Sequence, residues 1–260
     1  MSKKGILVDI TKCIGCGACE EACKLRNDLP LSLDKELSYE AYTVVQERLP
    51  NTYVRRMCMH CEEPTCVSVC PVGALTKTSS GPVIYDKDKC IGCRYCMFSC
   101  PFHVPRYQWD KVVPHIEKCY MCYDRIEEGS EPACTAACPT GASIFGDRDD
   151  LIKEAKKRIT AEPDKYVNHI FGLEEVGGTS VLYISNVPFE KLGYPFNVAF
   201  PDKPMPMYTW AALDKVPTVV LVGGVVLTGI WWITSRRDEV KKFELTHKEK
   251  KKLPGKGEKQ

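Results

Sequence analysis

The chain has 260 residues, of which 36 are basic and 34 acidic, giving a net charge of +2. With 44% hydrophobic and 27% charged residues, it can build a packed core, which excludes wholesale disorder. The near-neutral charge excludes a protein that coats nucleic acid.

The first twelve residues carry Lys3 and Lys4 ahead of a short apolar run broken by Asp9. That run is too short for a secretory core, and no twin arginine precedes it, so no export signal is expected on the chain itself. The first cysteine group follows: Cys13, Cys16, Cys19 and Cys23, spaced C-x2-C-x2-C-x3-C. Residues 31–57 form an insertion. Tyr42 to Val45 and Tyr53 to Arg56 read as strands around a turn at Pro50-Asn51. The second group is Cys58, Cys61, Cys66 and Cys70, with four residues rather than two between its second and third members. The third is Cys90, Cys93, Cys96 and Cys100, with the spacing of the first. The fourth is Cys119, Cys122, Cys134 and Cys138. The sixteen cysteines are thus an internal repeat of one short unit, with insertions between copies.

Beyond the cysteines, apolar residues at 151, 152, 155 and 159 have a helical period, and Val181 to Ser185 reads as a strand. Pro195, Pro201, Pro204, Pro206 and Pro217 predict an extended linker at 201–215. Residues 216–235 then run for 20 positions without a charge. At 1.5 Å per residue that is roughly 30 Å, the thickness of a bilayer's hydrocarbon layer. Trp231 and Trp232 lie at its far end, where indole rings favour the interface. The competing assignment is a buried core helix. Gly224 and Thr228 form a small-xxx-small pair in this segment. The tail, 236–260, has ten basic and five acidic residues. Positive-inside bias places that tail in the cytoplasm and the cysteine-rich part on the opposite face. A basic tail kept only for solubility, with a cytoplasmic cysteine region, is the alternative.

Three thiolates at two-residue gaps wrap one cubane, and the fourth cysteine of such a run reaches a second cluster. The second, third and fourth groups each end in Cys-Pro, at Pro71, Pro101 and Pro139, where proline fixes the exit of the chain and removes an N–H. Eight disulfides are ruled against by geometry, since cysteines in such tight loops do not all pair well. Zinc competes at the fourth group alone, because C-x2-C pairs are its usual signature. The repeated triple run is not a tetrahedral zinc pattern.

On these motifs, on Gly177-Gly178-Thr179-Ser180-Val181-Leu182-Tyr183 and on the C-terminal span, the whole chain resembles the four-cluster iron–sulfur subunits of membrane-bound respiratory oxidoreductases. It is similar to the formate dehydrogenase beta subunit and to the iron–sulfur subunit of membrane-bound nickel–iron hydrogenase. Val187-Pro188-Phe189-Glu190-Lys191-Leu192-Gly193 leans toward the hydrogenase branch. The resemblance implies an α+β fold of two intertwined ferredoxin-like modules followed by one transmembrane helix. The four-cluster domain would cover 1–148, with one module from 1–30 and 111–148 and the other from 58–110. A helix-and-strand extension would cover 149–200. The resemblance further implies four 4Fe-4S clusters. Their ligands would be Cys13, Cys16, Cys19 and Cys138; Cys23, Cys119, Cys122 and Cys134; Cys58, Cys61, Cys66 and Cys100; and Cys70, Cys90, Cys93 and Cys96.

Lys24, Arg94, Lys118 and Arg125 lie beside these cysteines in sequence and would raise cluster potentials, if they are not merely solvated. Tyr95, Phe102, Tyr107 and Trp109 could shield clusters or simply fill a core. His60 is expected beside a cluster or at the surface, not as a ligand. No nucleophile–base pair or phosphate loop appears, so the expected role is conduction without a catalytic site. By resemblance, the chain would link a nickel–iron hydrogenase or a molybdenum or tungsten pterin formate dehydrogenase to a quinone-reactive or cytochrome b membrane subunit. The alternative is a molybdopterin reductase of polysulfide, nitrate or sulfoxide type, with electrons running the other way.

Overall fold

The structure, a computed structural model, describes residues 2–252. The chain runs β1 (Lys4–Asp9), α1 (Ala18–Arg26), β2 (Val44–Leu49), β3 (Thr52–Arg56), α2 (Thr65–Ser68), β4 (Leu75–Lys77), β5 (Val83–Tyr85), α3 (Tyr95–Ser99), β6 (Arg106–Tyr107), β7 (Ile116–Glu117), α4 (Tyr123–Glu127), α5 (Ala133–Ala136), β8 (Ser143–Asp147), α6 (Arg148–Ala161), β9 (Val181–Ile184), α7 (Met205–Leu213) and α8 (Val216–Lys252). Two units result, Met1–Met207 and Tyr208–Gln260.

The first unit is organised by two strand pairs that bracket the cysteine groups. β4, after the second group, pairs antiparallel with β5, before the third, with Thr76 opposite Ile84. β1, before the first group, pairs antiparallel with β8, after the fourth, with Leu7 opposite Ile144. Burial supports the second, long-range pairing: Ile6 and Val8 pack into one core and Leu7 into another, so both faces of β1 are covered. β9 adds to the other edge of β1 in parallel, Leu7 opposite Leu182. Gly5 permits this approach, since a Cβ there would meet the Ser180 carbonyl oxygen at 2.5 Å. α6 lays Leu151, Ala155 and Ile159 on Leu7, Leu182 and Ile184, forming one core layer. A larger core lies around Val8, Met57, Phe102, Phe171 and Tyr183. The 177–181 segment also runs along the second cysteine group: Ser180 N–H donates to the His60 carbonyl at 3.2 Å and Glu62 N–H to that of Gly178 at 2.9 Å.

Asp9, fully buried, ends β1. Its carboxylate accepts from Thr11 N–H at 3.1 Å, Arg158 Nη1 at 3.0 Å and Tyr166 OH at 2.9 Å. Those bonds satisfy a charge that would be costly if left unpaired.

The insertion is a hairpin, with Val45 opposite Arg55, but its first strand begins at Val44 and runs to Leu49, so it is displaced from the expected Tyr42–Val45. The expected 201–215 linker is also different: Met205–Leu213 is helical. Its prolines lie before or at the start of that helix, where a missing N–H costs nothing. Among the described residues one helical stretch, Met205–Lys248, is long and apolar enough to cross a membrane; its apolar side chains are exposed, unlike those of a buried core helix. Residues 253–260 of the basic tail lie outside the described residues.

Removing the Asp9 carboxylate strands Arg158 and Tyr166. Asp9→Ala is therefore expected to lower stability by about 3 kcal/mol, the low end for a broken buried pair, because Arg158 keeps its bond to Glu154. Urea unfolding followed by circular dichroism checks this.

Candidate metal centres

Each cysteine loop is shaped by backbone that L-residues rarely adopt. Gly15 and Gly17 have φ of 69° and 72°, and Gly92 and Arg94 at the matching positions have 67° and 63°. Such turns aim consecutive amides inward. Gly92 N–H reaches Cys90 Sγ at 3.4 Å, Met121 N–H reaches Cys119 Sγ at 3.3 Å, Ala74 N–H reaches Cys70 Sγ at 3.2 Å and Ser143 N–H reaches Cys138 Sγ at 3.4 Å. The loops repeat further: Asp9 and Asp86 each close the short helical turn before Cys13 and Cys90 through a side-chain bond to the amide two residues on.

The β1–β8 pairing carries Cys138 to the first group. Cys13, Cys16, Cys19 and Cys138 line one small cavity. Cys23, Cys119, Cys122 and Cys134 line a second. Cys61 lies among Cys100, Cys58 and Cys66, and Cys96 has Cys90, Cys93 and Cys70 near it. The neighbourhoods also connect: Cys19 lies near Cys134, Cys119 near Cys58, and Cys96 near Cys66. The quartets therefore form a row, from Cys13 through Cys23 and Cys58 to Cys70. All four thiols of the Cys23 quartet are buried, whereas Cys16 at one end is exposed.

Burial dominates the thiol acidities. It pushes Cys19 up to about 11 and Cys23, Cys66 and Cys96 up to about 12, with neighbouring thiols adding to the rise. Cys70 and Cys138 are exceptions. Burial acts against their thiolates too, but amides outweigh it: Val72, Leu75, Ala74 and Gly73 on Cys70, and Ser143, Thr140 and Ala142 on Cys138, the last joined by the Thr140 hydroxyl. Their pKa values fall below the ordinary thiol value. Filling these sites with iron must therefore displace protons from most of the thiols.

All sixteen cysteines are free thiols. Among the described residues, no three potential ligands converge closely enough to hold a single metal ion. The thiols of the Cys13 and Cys23 quartets line cavities instead, which favours a polynuclear cluster over zinc there. An all-thiol donor set with amides aimed at sulfur fits an iron–sulfur cluster.

The other residues singled out in the sequence divide. Lys118 is buried and close enough to Cys66 and Cys100 to oppose part of the rise that burial gives their pKa values; its Nζ donates to the Val83 and Cys119 carbonyls. Arg125 similarly favours the Cys122 thiolate. Lys24 instead fastens the loop at Ser32 and Asp34, and Arg94 packs over Tyr107 and Trp109. Tyr95 and Trp109 are exposed, while Phe102 is buried. His60 is fully buried rather than superficial, its Nδ1 accepting from Val83 N–H at 2.9 Å.

One residue bears no sequence signal at all. Arg55, on β3, lines both cavities. It is only 2% exposed. Its Nε donates to Thr43 Oγ1 at 3.0 Å and its Nη1 to Ser143 Oγ at 3.1 Å, while Nη2 is buried without a partner. The spacing of cysteines does not reveal it, because it lies on an insertion between two groups.

Two sequence families match, each described as a 4Fe-4S dicluster domain, at residues 12–74 and 50–148. The chain is 37% identical over 237 residues to the hydrogenase-2 operon protein HybA of Escherichia coli O157:H7, covering 74% of this chain and 72% of that protein. It is 32% identical over 247 residues to the formate dehydrogenase iron–sulfur subunit of Haemophilus influenzae, covering 86% and 78%. It is 40% identical over 158 residues to the B component of the anaerobic dimethyl sulfoxide reductase of Escherichia coli K12, covering 58% and 76%.

Two glycine substitutions separate loop strain from steric conflict. A Cβ on Gly15 would lie 2.4 Å from the Tyr53 ring, whereas one on Gly73, at φ 63°, meets nothing within 4 Å. Gly73→Ala should cost only about 1 kcal/mol of backbone strain and retain full iron. Gly15→Ala should lower the iron content, read as iron per chain after anaerobic purification.

Proposed function

Because the chain belongs to the 4Fe-4S dicluster family of electron-transfer subunits of respiratory oxidoreductases, we propose that its sixteen cysteines hold four clusters and conduct electrons between a catalytic subunit and a quinone-reactive membrane subunit. The proposed ligand sets are the four quartets: Cys13, Cys16, Cys19 and Cys138; Cys23, Cys119, Cys122 and Cys134; Cys58, Cys61, Cys66 and Cys100; and Cys70, Cys90, Cys93 and Cys96. When bound, such clusters supply one-electron relays. The observation that carries this reading is the row of quartets itself, which runs from the partly exposed Cys13 set through the buried Cys23 set to the Cys70 set.

The residues provide what a relay requires. The loops fix the thiols on rigid turns, the buried Cys23 quartet excludes water, and the amides at Cys70, Cys90, Cys119 and Cys138 offset thiolate charge. With sixteen thiols for four clusters, no ligand position remains for a substrate. The ferredoxin-like modules are assigned to 1–30 with 111–148 and to 58–110, on the strength of the β1–β8 and β4–β5 pairings.

The catalytic partner is proposed to be a nickel–iron hydrogenase or a molybdenum or tungsten pterin formate dehydrogenase; two relatives are named for a hydrogenase operon and for a formate dehydrogenase. The membrane partner would be a quinone-binding or cytochrome b subunit. The apolar Met205–Lys248 helix supports a single-pass anchor. The basic tail supports a cytoplasmic C-terminus with the cysteine-rich unit on the opposite face. The dimethyl sulfoxide reductase relative favours a second reading, in which the same row delivers electrons to a molybdopterin reductase.

Elemental analysis of the native complex in mild detergent tests these readings. This subunit should contribute roughly 16 irons, as four cubanes. Nickel would identify a hydrogenase; molybdenum or tungsten without nickel would identify a pterin enzyme, and its activity with formate or an oxide would give the direction. In the same complex, Cys138→Ser should cut quinone-linked turnover sharply and leave dye-linked turnover of the catalytic partner largely intact. Equal loss of both in an assembled complex would contradict the relay.

A further inference from the structure

Arg55 is a cation placed where cations are rarely tolerated without a carboxylate. It is 2% exposed, and among the described residues no ion pair forms on it. Neutral hydroxyls of Thr43 and Ser143 hold Nε and Nη1. Nη2 is left buried and unpartnered. An uncompensated buried charge of this kind is strongly destabilising unless something of opposite sign lies near it. The groups near it are thiols: it lines the cavity of Cys13, Cys16, Cys19 and Cys138 and also that of Cys23, Cys119, Cys122 and Cys134.

The side chain is also held in place. Its carbonyl accepts from Tyr183 OH at 2.9 Å, and β3 is locked to β2 by the pairing of Arg55 with Val45. The Ser143 hydroxyl that fixes Nη1 belongs to β8, the strand that delivers Cys138. The insertion hairpin and the two ends of the cysteine region thus meet at one guanidinium.

We propose that Arg55 is a shared tuning residue for the first two cluster sites, a single fixed guanidinium that offsets the negative charge of both and raises both reduction potentials together. The proposal rests on the cluster assignment given above. A tetrathiolate cluster is already anionic, and each reduction adds one electron and one more negative charge, with no bond made or broken. A cation fixed between two such sites favours the reduced form of each. Arg55 is a positioning and electrostatic group. It is not a ligand, and it does not take part in electron transfer itself.

The test is a redox titration of the purified complex, with dithionite as reductant and electron paramagnetic resonance as readout, alongside iron per chain. In Arg55→Met, the reduction equilibria of the Cys13 and Cys23 sites should both shift toward the oxidised form by roughly tenfold or more, tenfold being 59 mV for one electron. The Cys58 and Cys70 sites should keep their potentials. Arg55→Lys, which keeps the charge, should stay near the original values. Full iron with neither potential moved, or with only one moved, overturns the proposal. So does Arg55→Lys behaving as Arg55→Met, which would make shape rather than charge the cause. If Arg55→Met assembles with less iron, Arg55→Gln replaces it, since an amide can still bond Thr43 or Ser143. Iron loss there too overturns the proposal in favour of a purely structural arginine. Failure of the cluster assignment would instead appear in the unsubstituted complex, as too few irons or too few reducible centres.

Discussion

Cys138 stands beside Cys13 because β8, beginning five residues after it, pairs with β1, which ends four residues before Cys13. The rest of the first unit depends on that pairing. Without it the first loop offers only three thiols to its cavity, and the packing of α5 on α1 that sets Cys134 by Cys23 loses its support. The pairing is long-range, so its loop-closure entropy must be offset by burial. Leu7 does this on one face under α6, and Ile6 and Val8 on the other within the larger core, with β9 at the second edge. The inner pairing of β4 with β5 spans only a few residues and needs no such support.

Polar groups inside the unit follow two rules. Some are tied to fixed partners, as Asp9 is to Arg158 and Tyr166, or as Glu62 is to Lys3, Lys77 and Arg148. Burial would raise the Glu62 pKa, but the lysines and the arginine hold it below the ordinary glutamate value. These pairs clamp the N-terminus of β1 and the start of α6 around the second cysteine group. Others face thiols rather than acids, as Arg55 and Lys118 do. The first kind stabilises the scaffold. The second kind places positive charge where thiolates gather.

How much of this could be read in the sequence depended on how local each signal is. Cysteine spacing within a loop is local, and so are the Gly15 and Gly92 turns and the apolar period of α6. The uncharged 216–235 run was equally plain, and it appears as part of a longer apolar helix. The linker prediction misjudged proline. Prolines 204 and 206 stand at a helix start, where they are compatible with helix, and so Met205–Leu213 is ordered as α7. Lys24 looked like a charge beside a cluster because it follows Cys23, but it points to the Ser32–Asp34 loop. Sequence adjacency misled there, and it concealed Arg55 for the same reason. Arg55 is 36 residues from Cys19 and 79 from Cys134, and only tertiary folding of the insertion hairpin brings it between them.

The nested pairing also sets a timetable for synthesis. As the chain leaves the ribosome, the segment from Cys58 to Cys100 can fold on itself as soon as β5 and α3 have emerged. The first group has to wait. Cys13, Cys16 and Cys19 are out more than a hundred residues before Cys138 and β8 follow. During that interval three nucleophilic thiols sit on an open loop with no strand to close over them. The newborn first loop is thus the part of the molecule most exposed to oxidation and to scavenging by stray metal, and the part with most to gain from an escort that covers it until residue 147 has been made.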